Sequence, residues 1–334
     1  MVLASVIVPT FNRCRMLQRT LNALLEQTLP PDSYEIIVVD DGSSDDSPIM
    51  VKRMALSTNR LLYIRHSVNQ GRVIARNDGI RAARGQIVIL LDDDNVPSPD
   101  FVQAHLRLHT QNNDGIAVMG NAQYASEVLG ASNLGHFLQS RYLGCRSPED
   151  RIGIDYRDLP PRCFGTLNCS VRRTDLLKVG LFDTDFRYYG GEDEYMGYCL
   201  HGLGIRIVFG EDARSCHYDE ISVDRYKKKI MEGAREGTKV ILSKSPGYFE
   251  GTQIRLLLPV DLGHDDLRRV VAKLGVSALL NPLTTFLLEL WARRTDRYER
   301  LYFRLLYRAL LAGWYLQGYR TRSGGARLVQ YSEI

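Results

Sequence analysis

Gln86-Ile-Val-Ile-Leu-Leu-Asp92-Asp93-Asp94-Asn95-Val96-Pro97 joins an apolar, β-branched run to three consecutive carboxylates. An apolar run without polar alternation reads as a strand buried on both faces, the signature of a parallel sheet. Pro97 and Pro99 are expected to stop regular pairing just beyond it. The acids then fall at the carboxyl end of a core strand, where open α/β sheets bind their ligands. Three adjacent carboxylates repel one another unless a cation or hydrogen-bond donors compensate. A hard divalent ion, Mn2+ or Mg2+, carrying a phosphate-bearing ligand meets that demand. A polar turn closing the strand is the plainer alternative.

Upstream lie two more strands, and the second of them again runs into acids. Ser5-Val-Ile-Val-Pro-Thr10 is a short strand ended by Pro9, with Phe11 and Asn12 at its tip. Leucines at 17, 21, 24 and 25 predict an amphipathic helix over 15–28. Tyr34-Glu-Ile-Ile-Val-Val-Asp40 is a second buried strand, running into Asp41-Gly42-Ser43-Ser44. Strand, helix, strand in this order is a right-handed βαβ unit. A helix over 46–57 and a strand at Leu61–Arg65 follow. Asn69-Gln-Gly71 then opens a helix over 72–84, weakened by Gly79, whose Arg72 and Arg76 share a face. That face meets phosphate or base, or it is simply solvated.

Downstream, Asp100 is expected to cap a helix reaching His109, and Ile116–Gly120 to form a short strand. Residues 121–160 carry Gly144, Pro148, Pro160 and Pro161 and read as a loop-rich excursion of the kind that covers a site. Strand character resumes over Cys163–Arg173, with Thr174 as cap of the next helix. Gly190 and Gly191 precede Glu192-Asp193-Glu194 and a helix from Tyr195 to His201. The helix dipole alone favours acids in a first turn, so part of that cluster has a structural explanation. A strand over Gly204–Gly210 leads to His217, a residue type that is more often structural than ligating when it stands alone.

From residue 222 the chain turns helical and basic. Apolar stretches at 276–291 and 301–315 are interrupted by Asn281, Pro282 and Glu289, and by Arg304 and Arg308. Neither supplies the roughly 20 uninterrupted apolar residues of a spanning helix. Their Arg and Trp placement suits a membrane interface, a helical appendage or a subunit contact. The division expected is a catalytic unit at 1–220 and a helical, basic unit at 221–334.

Composition excludes some classes. The 334 residues are 44% hydrophobic and 25% charged with a net charge of +4, which gives no footprint for nucleic acid. None of the six cysteines forms a Cys-x-x-Cys pair. The N-terminus lacks a basic start and a long apolar segment before Pro9, so a reducing cytoplasm, with a peripheral place at the inner membrane face as an option, is the expected setting. The Gly-x-Gly-x-x-Gly fingerprint of dinucleotide binding is missing after the first strand, and so is a Walker-type loop.

Val6-Ile-Val-Pro-Thr-Phe-Asn12, Val38-Val-Asp-Asp-Gly-Ser-Ser44, Asn69-Gln-Gly71 with Ala75-Arg-Asn77, Leu91-Asp-Asp-Asp94 and Gly191-Glu-Asp-Glu194 occur in that order. Together they resemble the family 2 glycosyltransferases, over roughly residues 3–220. The resemblance implies a GT-A fold, a Rossmann-like, mostly parallel sheet with helices on both faces, and a metal-dependent, inverting transfer. The donor implied is a nucleotide-diphosphate sugar, UDP-linked by preference; the acceptor is a glycan, a lipid-linked saccharide or another hydroxyl compound.

Carried over by residue, the resemblance implies that Pro9, Thr10, Phe11 and Asp41 hold the nucleobase and ribose, with Phe11 packed on the base. Asn69 belongs with the donor-binding residues, and Arg76 faces the nucleoside. Asp92 contacts the nucleoside and Asp94 the metal. Asp93 departs from the usual small middle residue and leaves open which acid reaches the ion. His217 follows the last core strand as a further metal ligand, and Asn168 shapes the sugar pocket. Asp193 is the implied catalytic base, with Glu192 orienting the acceptor. A nucleotidyltransferase and a non-catalytic nucleotide- or sugar-binding scaffold are the competing readings. Intact acids at both clusters speak against the scaffold.

Overall fold

The computed structural model describes residues 2–112, 114–130, 132–146, 152–298 and 302–321. Pro148, Leu301 and the chain beyond residue 321 lie outside the described residues. In chain order the first half comprises β1 (Ala4–Thr10), α1 (Cys14–Leu25), β2 (Tyr34–Asp40), α2 (Ser47–Leu56), β3 (Leu61–Arg65) and α3 (Arg72–Ala82). Next come β4 (Ile87–Leu91), β5 (Asn95–Pro97), α4 (Phe101–Gln111), β6 (Ile116–Tyr124), α5 (Ser126–Leu129) and α6 (Asn133–Gln139). The remainder comprises β7 (Asn168–Arg172), α7 (Arg173–Lys178), α8 (Glu192–Gly202), β8 (Arg206–His217), α9 (Val223–Glu232), α10 (Thr238–Lys244), α11 (Leu267–Leu279), α12 (Pro282–Thr295) and α13 (Arg304–Arg320).

One eight-stranded sheet runs β3-β2-β1-β4-β7-β6-β8-β5. The pairs β1/β2, β1/β4, β2/β3 and β6/β8 are parallel; β4/β7, β6/β7 and β5/β8 are antiparallel. Every residue of β1, β2 and β4 is buried, as their unbroken apolar runs require. Alternate side chains feed two cores. Val6, Val8, Ile36 and Ile89 pack under the leucines of α1 on one face. Ile7, Ile37, Val88 and Leu90 pack under α3 and α8 on the other. Gly79 is a packing residue: a Cβ there would stand 2.4 Å from Ile7 Cγ2.

Several expectations need correction. Pro97 does not end pairing, because Asn95–Pro97 forms β5 against Ser215–His217. A proline is tolerated there because β5 is an edge strand. Asp100 precedes α4 without capping it, and its carboxylate takes the Ser98 hydroxyl instead. Thr174 lies inside α7, whose N-cap position is Arg172. The region 121–160 is less irregular than its prolines suggest, since β6 runs on to Tyr124 and α5 and α6 follow. The helix expected from Tyr195 starts at Glu192, which puts all three acids in its first turn.

The C-terminal helices are docked by an apolar cluster of their own. Leu306, Leu310 and Trp314 of α13 and Ala292 of α12 meet Leu134, Phe137 and Leu138 of α6. Trp314 Nε1 donates to Glu289, which also receives Lys227 and Arg293. Packing therefore crosses residue 220, where the sequence suggested a division. Among the described residues no single helix is long and apolar enough to cross a membrane; α11 and α12 meet that test only as a pair bent by 55°.

Candidate active site

A cavity of about 470 Å³ opens at the carboxyl ends of the strands, a size ordinary for a ligand site. Pro9 and Arg13 enter from the end of β1, Asp92 to Asp94 from the end of β4, and Glu192 and Asp193 from the start of α8. His217 closes β8, and Arg225 and Lys229 of α9 cover the far side.

The loop ends are fixed before any ligand arrives. Asn12 Oδ1 accepts from the backbone N–H groups of Ser44 and Asp45, and its own N–H donates to Ser43 Oγ. Asp40 Oδ1 accepts from Ser43 N at 2.7 Å. Asp41 accepts from Gln70 N and Gly71 N, both at 2.8 Å, and sits 2.7 Å from His66 Nδ1. Asn77 pairs through both amide atoms with the backbone of Phe182, tying α3 to the segment ahead of α8. Gly190 and Gly191, at φ +96 and +95, turn the chain into α8.

Arg76 organises the chemistry. Its side chain is 4% exposed. Nη2 lies 3.2 Å from Asp92 Oδ1; Nη1 lies 3.3 Å from Glu192 Oε1 and 3.4 Å from Asp193 Oδ1. Arg72 Nη1 reaches the same Glu192 oxygen at 3.5 Å, so the shared face of the two arginines is an acid-binding face and not a solvated one. Asp193 also accepts from Thr166 N and Oγ1 at 3.1 Å, yet its side chain remains 28% exposed to the cavity.

These surroundings separate the acids. Burial pushes Asp193 up to about 6, with the Glu192 charge adding to the rise and Arg76 opposing it. Burial would raise Glu192 as well, but Arg72 and Arg76 hold it below the usual carboxylate range. Burial, and secondarily Asp193, pushes Glu194 up to about 7. One carboxylate is thus locked as an anion while its neighbour is poised to exchange a proton, the division of labour expected of acid–base sites.

The second acid group lies deeper. Asp93 Oδ2 accepts from Thr10 Oγ1 at 2.6 Å, and burial pushes its carboxyl up to about 7 against the pull of Arg13. Asp94 is equally buried, but His217 and Arg13 overcome that burial and hold it well below the usual range. His217 Nε2 stands 3.4 Å from Asp94 Oδ1, and its Nδ1 is 2.7 Å from Tyr142 Oη. With Nδ1 engaged by Tyr142, Nε2 is the ring nitrogen turned toward Asp94. Asp94 Oδ1 is buried without a hydrogen-bond partner. An oxygen with that spare capacity and an imidazole nitrogen beside it fit a divalent ion. Among the described residues no group of three or more His, Cys, Asp or Glu side chains could hold one. An ion there would lean on the ligand's phosphate oxygens, as Mg2+ and Mn2+ do.

Other implied residues fall elsewhere. Asn168 is buried beneath the sheet, its amide spent on Ala213 O, Ser215 Oγ and His105, and does not shape the cavity. Phe11 is 4% exposed and presents no open face for a base. Thr10 donates to Asp93, and Asp41 accepts from the 70–71 backbone. Arg76 lines the cavity and faces three carboxylates there. Glu192 is 4% exposed and taken up by arginines, which suits positioning and not acceptor contact. Asn69 packs by its backbone against the Gly42 turn and does not line the cavity; its Nδ2 is buried without a hydrogen-bond partner. Sequence reading missed Arg13, Tyr189, Asp219, Arg225 and Lys229. The basic run at 225–229 signalled Arg225 and Lys229 without showing which way it faces, and nothing local marked Arg13, Tyr189 or Asp219.

Residues 5–179, just over half of the chain, match the family model described as glycosyl transferase family 2. That match includes Asp92 to Asp94 and ends before Glu192. The chain is 31% identical over 234 residues to the validoxylamine A glucosyltransferase of Streptomyces hygroscopicus subsp. limoneus, covering 63% of this chain and 50% of that protein. It is 29% identical over 290 residues to the chondroitin synthase of Pasteurella multocida (strain Pm70), covering 78% of this chain and 28% of that one. It therefore spans half or less of the length of these curated relatives. In fold it is similar to a mannosyltransferase from Pyrobaculum calidifontis solved with GDP-Man and Mn2+, with TM-score 0.60, 20% identity, and coverage of 95% of this chain and 85% of that one. It is also similar to S. aureus TarS 1-349 solved with UDP-GlcNAc, with TM-score 0.54, 18% identity, and coverage of 92% and 91%.

Proposed function

The chain belongs to glycosyl transferase family 2, and from that premise we propose that it moves a hexose or N-acetylhexosamine from a nucleoside-diphosphate sugar, UDP-linked, to a hydroxyl of a glycan or lipid-linked acceptor, with inversion and with Mn2+ or Mg2+. The observation that carries this reading is the placement of Asp193, 28% exposed in the same cavity as Asp92 and Asp94 and with its carboxyl raised by burial. Structural neighbours solved with GDP-Man and with UDP-GlcNAc support the donor class.

In the proposed reaction Asp193 takes the proton from the acceptor hydroxyl as its oxygen attacks the anomeric carbon. The bond from that carbon to the diphosphate oxygen breaks, and its electron pair leaves with the nucleoside diphosphate. A single displacement inverts the configuration. Thr166 and Arg76 fix the direction of the Asp193 carboxylate, and Glu192 fixes Arg76. Asp94 and His217 would hold the divalent ion, which as a Lewis acid would offset charge on the departing diphosphate. Asp92, 34% exposed and steadied by Arg76, is the acid open to the donor.

The division at residue 220 is retained here as a division of labour, with 221–334 serving the acceptor side. Leu267, Val271 and Leu274 of α11 and Leu283, Phe286, Leu287 and Trp291 of α12 are exposed. Arg268, Arg294 and Arg297 are exposed on or beside these helices, against one exposed acid, Asp266, at the start of α11, while Asp265 and Glu289 point inward onto Lys273 and Lys227. An apolar strip with a basic border matches an anionic membrane surface.

The test is a thermal-shift series with UDP, GDP, CDP and dTDP, each with Mn2+ and with EDTA. The reading expects a Mn2+-dependent rise for UDP. No rise with any nucleotide, in folded protein, would remove the donor assignment.

A further inference from the structure

We propose that Arg13 is a built-in cation stand-in. In the unliganded protein its guanidinium holds Asp94, the acid that takes the divalent ion, and it surrenders Asp94 and turns to the diphosphate when ion and nucleotide arrive together. This rests on the metal-dependent reading above and adds to it a residue and an order of events.

Arg13 stands in the loop between β1 and α1. That loop is rigid, because Asn12 sits at φ +54 and is pinned to Ser43, Ser44 and Asp45. Residue 13 is therefore aimed at the acids across 81 residues of sequence. Its Nη1 donates to Asp94 Oδ2 and lies 3.7 Å from Asp93 Oδ1, while Nη2 lies 3.8 Å from Asp219 Oδ1. All three carboxylates are buried.

The acids do not depend on Arg13 equally. Asp219 has two further cations, Arg225 at 2.5 Å and Lys229 at 2.6 Å. Asp93 and Asp94 have only Arg13 as a permanent positive charge among the described residues, with His217 3.4 Å from Asp94. Two adjacent buried carboxylates cannot both stay ionised without such a charge. Asp94 Oδ1 takes no hydrogen bond from Arg13 and has only His217 Nε2 near it at 3.4 Å, so one guanidinium leaves acceptor capacity unused.

A divalent ion on Asp94 would bring like charge against Arg13 across one carboxylate. Without a phosphate the guanidinium has nowhere better to go, so the ion alone binds weakly. With a diphosphate in the adjoining cavity, the planar fork of Arg13 gains a matching anion, and the ion takes its place at Asp94. Ion and nucleotide then promote each other's binding, a coupling of the kind that spans tens of fold.

Mn2+ binding is read by the loss of the free-ion signal in electron paramagnetic resonance, with and without UDP. The proposal expects UDP to tighten Mn2+ by about tenfold or more in the unmodified protein. Arg13→Gln should tighten Mn2+ alone by about fivefold or more, and should cut the tightening that UDP adds. Arg13→Lys keeps the charge and should leave the affinity for Mn2+ alone near that of the parent, which separates charge from general loosening of the loop, while the tightening that UDP adds should be smaller without the planar fork. Equal Mn2+ affinity with and without UDP in the unmodified protein overturns the proposal even if Arg13→Gln fails to fold. Unchanged Mn2+ affinity in folded Arg13→Gln, with UDP coupling intact in the parent, overturns the role of Arg13 and spares the metal-dependent reading. No Mn2+ binding under any condition overturns both.

Discussion

Arg76 makes the site possible at the scale of single residues. One buried guanidinium gathers Asp92, Glu192 and Asp193, and the unequal sharing of its charge leaves Asp193 raised and Glu192 lowered. If Asp193 is the base, it must be ionised to act. Transfer measured as kcat/KM should therefore be flat at alkaline pH and fall tenfold per pH unit below about 6. A profile flat down to the ordinary carboxylate range would contradict this. The stability effect has the opposite sense. A carboxyl whose folded value is raised binds its proton more tightly when folded, so the cost of ionising it is fully present above about 6 and vanishes as pH falls. Asp193→Asn removes that cost and should melt no lower than the parent at about pH 7.5.

Among the elements, the strand ends at β2 and β4 were readable because buried apolar runs stopping at acids have few other meanings, and β1 was readable from its β-branched run. What those acids touch was not readable. Asp41 and Asn168 look like ligand residues in a motif, but Asp41 is consumed by the 70–71 turn and Asn168 by the sheet core. Such contacts are made across the fold and leave no local periodicity. β5 was missed for the same reason, since its partner is β8, about 120 residues on. Gly79 shows how tertiary packing overrides propensity. Helix preference alone would have Gly79→Ala stabilise by about 1 kcal/mol. The added Cβ would meet Ile7 Cγ2 at 2.4 Å and Val39 Cγ2 at 3.3 Å, both on buried strands. Overpacking of that kind costs about 1–3 kcal/mol, so a net loss of stability by urea denaturation is expected. A gain would mean that α3 can move off the sheet.

The whole molecule joins a sheet-borne site to helices docked through α6 and α9, with α11 and α12 carrying exposed apolar residues. The membrane reading predicts flotation with vesicles of anionic phospholipid and much less with neutral ones, weakened by salt. Replacing Leu283, Phe286 and Leu287 by Ser should abolish flotation and leave UDP binding unchanged. Flotation equal on both vesicle types, or none on either, would contradict it. The central claim is that Asp193 removes the proton while other residues bind the donor. The measurement that tests it most directly compares parent and Asp193→Asn for UDP release from UDP-glucose and UDP-N-acetylglucosamine with Mn2+, alongside UDP affinity. The account predicts a loss of about a thousandfold in release with UDP affinity within about threefold. Parent-like release by Asp193→Asn would contradict it.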